Sequence, residues 1–276
     1  MLSIDNHDRN IVDLTYVYPV VSRRAGGVSL GINLTPNNVC NWQCVYCQVP
    51  DLRLGVTAKA DIGVLEQELG AFLFQLVHGD YMQQHVPQAS RVLKDLAISG
   101  NGEPTTCSNF DAVVLCVTKL MDQYDLNIPL RLITNGSSVH KPVVQQGLKL
   151  MAKYQGEVWF KVDAVGEQRT KRINKVVLKP EWQRQQLQAV SDVCPVKLQT
   201  CVLVEQSRDA GYIHDYIQWL EGCLRQGIVL QGVCLYGLAR PSMQEGGDKL
   251  RSADEPFLQS FAEKIESLGL SVTVSA

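Results

Sequence analysis

Along most of this chain, short apolar runs alternate with stretches in which apolar residues recur every three or four positions. The first kind reads as strand and the second as helix. Apolar runs predict strands over 28–34, 93–98, 130–133, 158–162, 196–204 and 228–236. Helical spacing predicts helices over 62–77, 110–121, 142–154, 181–190 and 212–224. In 62–77, for example, Leu65, Leu69, Phe72, Leu73 and Leu76 fall on one face. Ser252-Ala253-Asp254-Glu255 has capping-box spacing and opens a last helix, which Gly269 stops near 268. A short strand over 271–274 follows.

Six strand-then-helix units in strict order predict parallel strands with crossover helices, the strands buried on both faces. A closed eight-unit barrel typically needs about 250 residues without long lead-ins. Six units in a chain of 276 suit a partial (β/α)6 TIM-like barrel, and a doubly wound sheet is the other α/β architecture that the pattern allows. The expected division is a lead-in over 1–27, the barrel over 28–245, and a C-terminal helix and short strand over 246–276 packed on it. The apolar part of the lead-in forms an extra strand or covers the barrel mouth. Arg23 and Arg24 within it are solvated surface charges or contacts for an anion.

Composition narrows the picture a little. With 45% hydrophobic residues and no Ser/Pro/Gly tract or charge block, the chain is expected to form one domain. A formal charge of −2 implies no broad basic surface for a nucleic-acid backbone. No apolar run approaches the ~18 residues of a membrane span, and the first residues lack a signal pattern, so a cytoplasmic protein without membrane contact is expected. Nine cysteines, an odd number, fit a reducing compartment better than a disulfide framework.

Three of those cysteines change the picture most. Cys40, Cys44 and Cys47 lie at C-x3-C-x2-C spacing just past the first predicted strand. Three thiolates within eight residues can meet on one metal centre only if the backbone loops around it. A structural zinc site is usually closed by four ligands, and an electron-carrying four-iron cluster takes four cysteines. Three ligands leave one position open for chemistry. The plainer readings are incidental thiols or a non-catalytic metal knuckle.

In a barrel, chemistry gathers where strands end at their carboxyl side. The second strand ends in Ser99-Gly100-Asn101-Gly102-Glu103-Pro104, small residues that admit a ligand close to the backbone, with an acceptor for a cationic group. The third ends in Thr134-Asn135-Gly136, and the fourth in Lys161-Val162-Asp163. Period-two alternation puts Lys161 and Asp163 on one face. Lys161 then pairs with Asp163, contacts a carboxylate, or acts as an amine if desolvation lowers its pKa. Gln199 and Cys201 share a face of the fifth strand, and Arg240 beyond the sixth is a surface charge or a clamp for a substrate anion.

The cysteine spacing, with aromatic Tyr46 just before the last cysteine, resembles the signature loop of the radical S-adenosylmethionine superfamily. That resemblance implies a 4Fe-4S cluster on Cys40, Cys44 and Cys47 whose open iron chelates S-adenosylmethionine. Electron transfer then cleaves a carbon–sulfur bond to a 5′-deoxyadenosyl radical. It further implies cofactor contacts from Tyr46, Gly100, Asn101, Gly102, Glu103, Asn135, Lys161 and Asp163, with Glu103 on the amino group. Asn101 stands where the family's turn has Gly, and Lys161 where many members have a small residue, which makes Lys161 the candidate catalytic side chain. A flavodoxin- or ferredoxin-type one-electron reductant is the implied partner. Leu30 to Asn37, the Gly100–Glu103 turn and Lys161-Val-Asp-Ala together resemble the branch related to the wyosine-base synthases of tRNA. In that branch a second cluster uses an upstream cysteine, and none precedes Cys40 here. The branch resemblance makes a tRNA base the first candidate substrate, and the missing upstream cysteine counts against the branch's two-cluster chemistry. The alternatives are a peptide or small molecule, or a metal-binding module without catalysis.

Overall fold

The computed structural model describes Leu2 and residues 13–22 and 26–275. Arg23 and Arg24 lie outside the described residues. Its strands and helices, in chain order, are β1 (Val17–Ser22), β2 (Gly27–Ile32), β3 (Val39–Cys40), β4 (Arg53–Leu54), α1 (Ile62–Val77), α2 (Tyr81–His85), β5 (Leu93–Ile98), α3 (Phe110–Gln123), β6 (Leu130–Thr134), α4 (Pro142–Met151), β7 (Glu157–Lys161), α5 (Glu167–Ile173), α6 (Pro180–Ser191), β8 (Val196–Cys201), α7 (Val204–Ser207), α8 (Tyr212–Arg225), β9 (Val233–Tyr236), α9 (Glu255–Glu266) and β10 (Val272–Ser275).

One eight-stranded sheet runs in the order β1-β2-β5-β6-β7-β8-β9-β10. From β2 to β10 every neighbour is parallel, while β1 pairs antiparallel with β2 in a hairpin register of Val17 on Ile32 to Ser22 on Gly27. The two edges do not pair, so the curled sheet is a half-barrel open between β1 and β10. The six strand-then-helix units are present, and the sheet gains a strand at each end. The apolar part of the lead-in is the antiparallel edge strand, and the C-terminal segment continues the sheet through β10.

The two sheet faces differ in chemistry. Leu30, Leu96, Leu132, Val158 and Leu198 are fully buried toward the helices. The alternate positions, Ser29, Asp95, Arg131, Trp159 and Gln199, line the lumen. Both faces of the central strands are largely buried, as expected, but the apolar runs hold only on the helix face and the lumen face is polar. Lumen charges are tolerated because they are matched strand to strand. Asp95 on β5 pairs with Arg131 on β6, which reaches Glu157 on β7 at 3.3 Å, which takes Lys197 on β8 at 3.1 Å. Arg131 also lies 5.0 Å over the Trp159 ring.

Three elements depart from the sequence pattern. Helix α5 has only Thr170 and Ile173 buried, too few for an apolar period. Strand β9 starts at Val233, because Gly232 before it has φ +138 and a backbone no other residue takes without strain. Helix α9 is capped by Asp254, whose side chain accepts from Phe257 N at 3.0 Å. Ser252 is not the cap: its hydroxyl accepts from Leu238 N at 2.7 Å.

Candidate active site in the half-barrel lumen

The lumen encloses a cavity of about 340 Å³ at the carboxyl ends of the strands. That lies within the usual size of a small-molecule site. Cys40, Cys44, Cys47, Tyr46, Gly100, Asn101, Gly102, Glu103, Asn135 and Lys161 all line it. Asp163 does not; it sits just behind that lining, 2% exposed.

The cysteine loop is held from several directions. Its start is the β3–β4 pair, Cys40 beside Leu54. Val45 N donates to Ile173 O at 2.8 Å, which ties the loop to the end of α5. From the segment after β9, Met243 N donates to Cys47 O at 2.9 Å, the Ser242 hydroxyl to Val45 O at 2.7 Å and Gln244 Nε2 to Val49 O at 2.8 Å. Trp42 and Tyr46 bury their rings against Ile173, Leu178 and Leu203. These anchors are why an irregular loop keeps one shape.

Cys44 is buried and Cys40 and Cys47 are half-buried, and burial is the main cause that pushes both Cys40 and Cys44 up to about 12. Charge on other loop thiols raises both further, and all three cysteines line the one cavity. Yet among the described residues no three His, Cys, Asp or Glu close on one point as a single ion requires. Three thiols that line one cavity are a donor set that a multi-iron cluster with one open iron could use. A buried thiol held this far up becomes a thiolate only beside a strong positive charge, which metal supplies. The six other cysteines, Cys107, Cys116, Cys194, Cys201, Cys223 and Cys234, are each buried.

The Gly100–Glu103 turn packs directly on the cysteine loop. A Cβ on Gly102 would sit 1.9 Å from Val39 O, and one on Gly100 would sit 2.1 Å from Asn33 Oδ1. Asn101 takes the family's Gly position without strain: its N donates to Asn33 Oδ1 at 3.0 Å and its Nδ2 to Asn38 Oδ1 at 2.6 Å. The Glu103 carboxylate is 2% exposed and accepts four donors. They are Thr105 N at 3.1 Å, the Thr105 and Thr134 hydroxyls at 2.5 Å each, and Asn135 N at 2.6 Å. Burial pushes the Glu103 carboxyl up, and these hydrogen bonds oppose it. The Asn135 side chain donates to Asn41 Oδ1 at 2.9 Å, which links β6 to the loop beside Cys40.

Across the lumen, Asp163 gathers its own donors. Its Oδ2 accepts from the Tyr46 hydroxyl and from Asn174 Nδ2 at 2.7 Å, and its Oδ1 from Cys201 N at 2.9 Å. Asn174 Nδ2 also lies 3.3 Å from Cys44 Sγ. A direct Lys161–Asp163 ion pair is not formed among the described residues. Lys161 Nζ instead donates to the Tyr236 hydroxyl at 3.1 Å and sits 4.8 Å over the Tyr46 ring. Burial alone would lower the amine's pKa, but the nearby Asp163 charge, followed by Tyr236, outweighs it and holds the ammonium well above its ordinary range. That balance favours the charged form of Lys161 among the readings given above.

Several residues escaped the sequence pattern: the Asp95–Arg131 pair and Trp159, which line the lumen, and Asn33, Asn41 and Asn174, which hydrogen-bond to residues of the site. Asn33 and Asn41 lie in and just after the run from the first predicted strand to Cys40, and alternation along β5 to β8 puts the charged residues on one face without pairing them. Arg240 lines the cavity, and its carbonyl accepts from Gln48 Nε2 at 3.3 Å.

No protein-family model matches the chain. Over 158 residues, 57% of its length, it is 32% identical to the UPF0026 protein of Methanocaldococcus jannaschii, 43% of which is covered. The chain spans about half or less of the length of the curated relatives it matches. In structure it is similar to a radical S-adenosylmethionine methyltransferase from Sphaerobacter thermophilus, with TM-score 0.55 over 94% of this chain and 68% of that one at 14% identity. The chain has the radical S-adenosylmethionine fold. The same fold relates it to TYW1 with a lysine-pyruvate adduct bound, at TM-score 0.56 and 14% identity over 87% of this chain and 73% of that one. It also relates it to anSMEcpe with S-adenosylmethionine and the Cp18Cys peptide bound, at TM-score 0.58 and 15% identity over 89% and 62%. Within this radical S-adenosylmethionine fold, the cysteine loop follows the first parallel strand and faces the lumen. No helix among the described residues is long and apolar enough to cross a membrane.

Proposed function

We propose that this chain is a radical S-adenosylmethionine enzyme, with Cys40, Cys44 and Cys47 as ligands of a 4Fe-4S cluster and S-adenosylmethionine in the lumen beside them. One observation carries the reading: the three thiols and the Gly100–Glu103 turn, which are far apart in sequence, line one cavity at the strand ends. A passive metal knuckle has no need of that turn. When bound, the cluster supplies the electron that cleaves the carbon–sulfur bond of S-adenosylmethionine.

The chain's own residues bind and orient. Gly100 and Gly102 bring backbone against the cysteine loop, and Asn101 presents its edge to the cavity. Glu103 accepts the ammonium of S-adenosylmethionine. The Thr105 and Thr134 hydroxyls that fill Glu103 are rotors, so they turn to other acceptors as an ammonium arrives, while the two backbone donors stay. Asn135 orients the loop through Asn41. Asp163 fixes Tyr46, and Lys161 acts as a fixed positive charge facing bound molecules. The electron comes from a flavodoxin- or ferredoxin-type protein.

The motif resemblance to the wyosine-base synthase branch makes a base of tRNA the proposed substrate. The radical reading is tested by anaerobic reconstitution followed by assay for 5′-deoxyadenosine with dithionite. The substrate is tested by comparing tRNA nucleosides from cells with and without the gene; an unchanged nucleoside profile contradicts the tRNA proposal.

A further inference from the structure

Most polar groups that line the lumen are already matched. Asp95 and Arg131 pair with each other, and Glu103 carries four donors. Lys161 differs. Among the described residues it has no carboxylate within ion-pair distance, and its contacts are the Tyr236 hydroxyl and the faces of Tyr46 and Tyr236. One strand over, Gln199 is 2% exposed, and its Nε2 is buried without an acceptor. A buried amide donor with no acceptor costs free energy, and a half-buried ammonium that touches no carboxylate directly keeps donors open for one. Native proteins keep such groups where something else completes them.

The two residues are placed to act together. Lys161 and Gln199 are register partners in the parallel β7–β8 pair, on strands about 4.8 Å apart. Their side chains therefore rise at one level from one face, and both line the cavity. The neighbouring Asp163 carboxylate accepts from Tyr46, Asn174 and Cys201, and among the described residues it makes no hydrogen bond to Lys161 or Gln199, although its charge acts on the ammonium.

We propose that Lys161 and Gln199 form an oxyanion subsite in the lumen, which takes a carboxylate or phosphate of a molecule bound there. An ammonium beside a neutral N–H donor favours an anionic acceptor over a neutral carbonyl, since charge strengthens each hydrogen bond. The inference deepens the reading of the previous subsection and rests on it for the occupant. Two molecules bring such a group: S-adenosylmethionine through its carboxylate, or a substrate that carries a carboxylate or phosphate.

The test uses the full chain after anaerobic reconstitution. Thermal unfolding is followed with added sodium acetate or sodium phosphate against sodium chloride at equal ionic strength. Wild type is compared with Gln199→Glu, which keeps the volume but replaces the donor with a negative charge, and with Lys161→Met. S-adenosylmethionine affinity is measured on the same proteins by calorimetry. The subsite predicts a saturable rise in Tm for wild type with acetate or phosphate, and a loss of anion affinity of about tenfold or more in each variant. With that loss, unchanged S-adenosylmethionine affinity in Gln199→Glu assigns the subsite to the substrate, and a parallel drop assigns it to S-adenosylmethionine. A drop in S-adenosylmethionine affinity without an anion response also assigns it to S-adenosylmethionine. Unchanged behaviour of both variants toward anions and S-adenosylmethionine overturns the proposal. Should Gln199→Glu fail to fold, Gln199→Leu gives the same readout. Iron content separates the two readings: a protein that binds iron and cleaves S-adenosylmethionine but fails these tests loses only the subsite.

Discussion

The two walls of the lumen mouth differ in how far the chain satisfies its own polar groups. On the β5–β6 side, Glu103 is filled by four donors from Thr105, Thr134 and Asn135. On the β7–β8 side, Asp163 accepts three donors, yet Lys161 and Gln199 beside it keep donors that no carboxylate among the described residues takes. Both carboxylates fix backbone and loop in the free chain, and Glu103 is also the proposed acceptor of an ammonium, while the donors on the second wall are left for an anionic group. The difference has a practical meaning. Substitutions at Asp163 register first as lost stability, and those at Glu103 or at the open donors as lost binding.

The largest effect is expected at Asp163. Asp163→Ala strands the Tyr46 hydroxyl, the Asn174 amide and Cys201 N–H in a buried site, and should cost about 3–5 kcal/mol in urea unfolding. A loss under about 1 kcal/mol would mean that Asp163 is not the anchor of that wall. Next comes Glu103→Gln, which keeps the shape but weakens the acceptor. Loss of a hydrogen bond to an ammonium predicts about 1.5–3 kcal/mol weaker S-adenosylmethionine binding by calorimetry. Equal affinity would leave Glu103 a loop clamp alone. At Lys161, retained charge separates the roles: Lys161→Arg should keep part of the 5′-deoxyadenosine formation and Lys161→Met should lose more. Equal damage from both would point to an amine whose chemistry arginine cannot supply.

The smallest effect lies at the lumen floor, which is filled on all sides. Burial would raise the Glu157 carboxyl, but Trp159 Nε1, Lys197 and Arg131 together hold it below its ordinary 4.5. A depressed folded pKa gives stability that is present above the unfolded value and lost as pH falls through the folded one. Glu157→Gln should therefore cost about 1 kcal/mol at pH 7 and flatten the loss of stability below about 4.5, read by unfolding at several pH values. An unchanged acid slope would remove Glu157 from the network's account.

The sequence pattern located the elements whose burial follows a simple period. The helix over 62–77 and the strand over 93–98 agree with α1 and β5 to the residue, and the cysteine loop and the Gly100–Glu103 turn are read from local motifs. What stayed hidden depends on partners distant in sequence. Strand β1 is defined by β2 across a hairpin, and Ser252 leaves the helix cap because Leu238 N claims its hydroxyl. The lumen network is illegible for the same reason: Asp95, Arg131, Glu157 and Lys197 lie on four strands, and only register makes them neighbours. Gln199 gives no local signal that its amide lacks an acceptor.

The central claim is that the three loop cysteines, and no others, hold an iron–sulfur cluster that cleaves S-adenosylmethionine. Iron and sulfide content, together with 5′-deoxyadenosine formed under dithionite, should be measured on anaerobically reconstituted wild type, the Cys40→Ala, Cys44→Ala and Cys47→Ala variants, and Cys223→Ala as the control. The account predicts about four irons per chain and cleavage in wild type and Cys223→Ala, with both lost in each loop variant. Full iron and undiminished cleavage in the loop variants would contradict it.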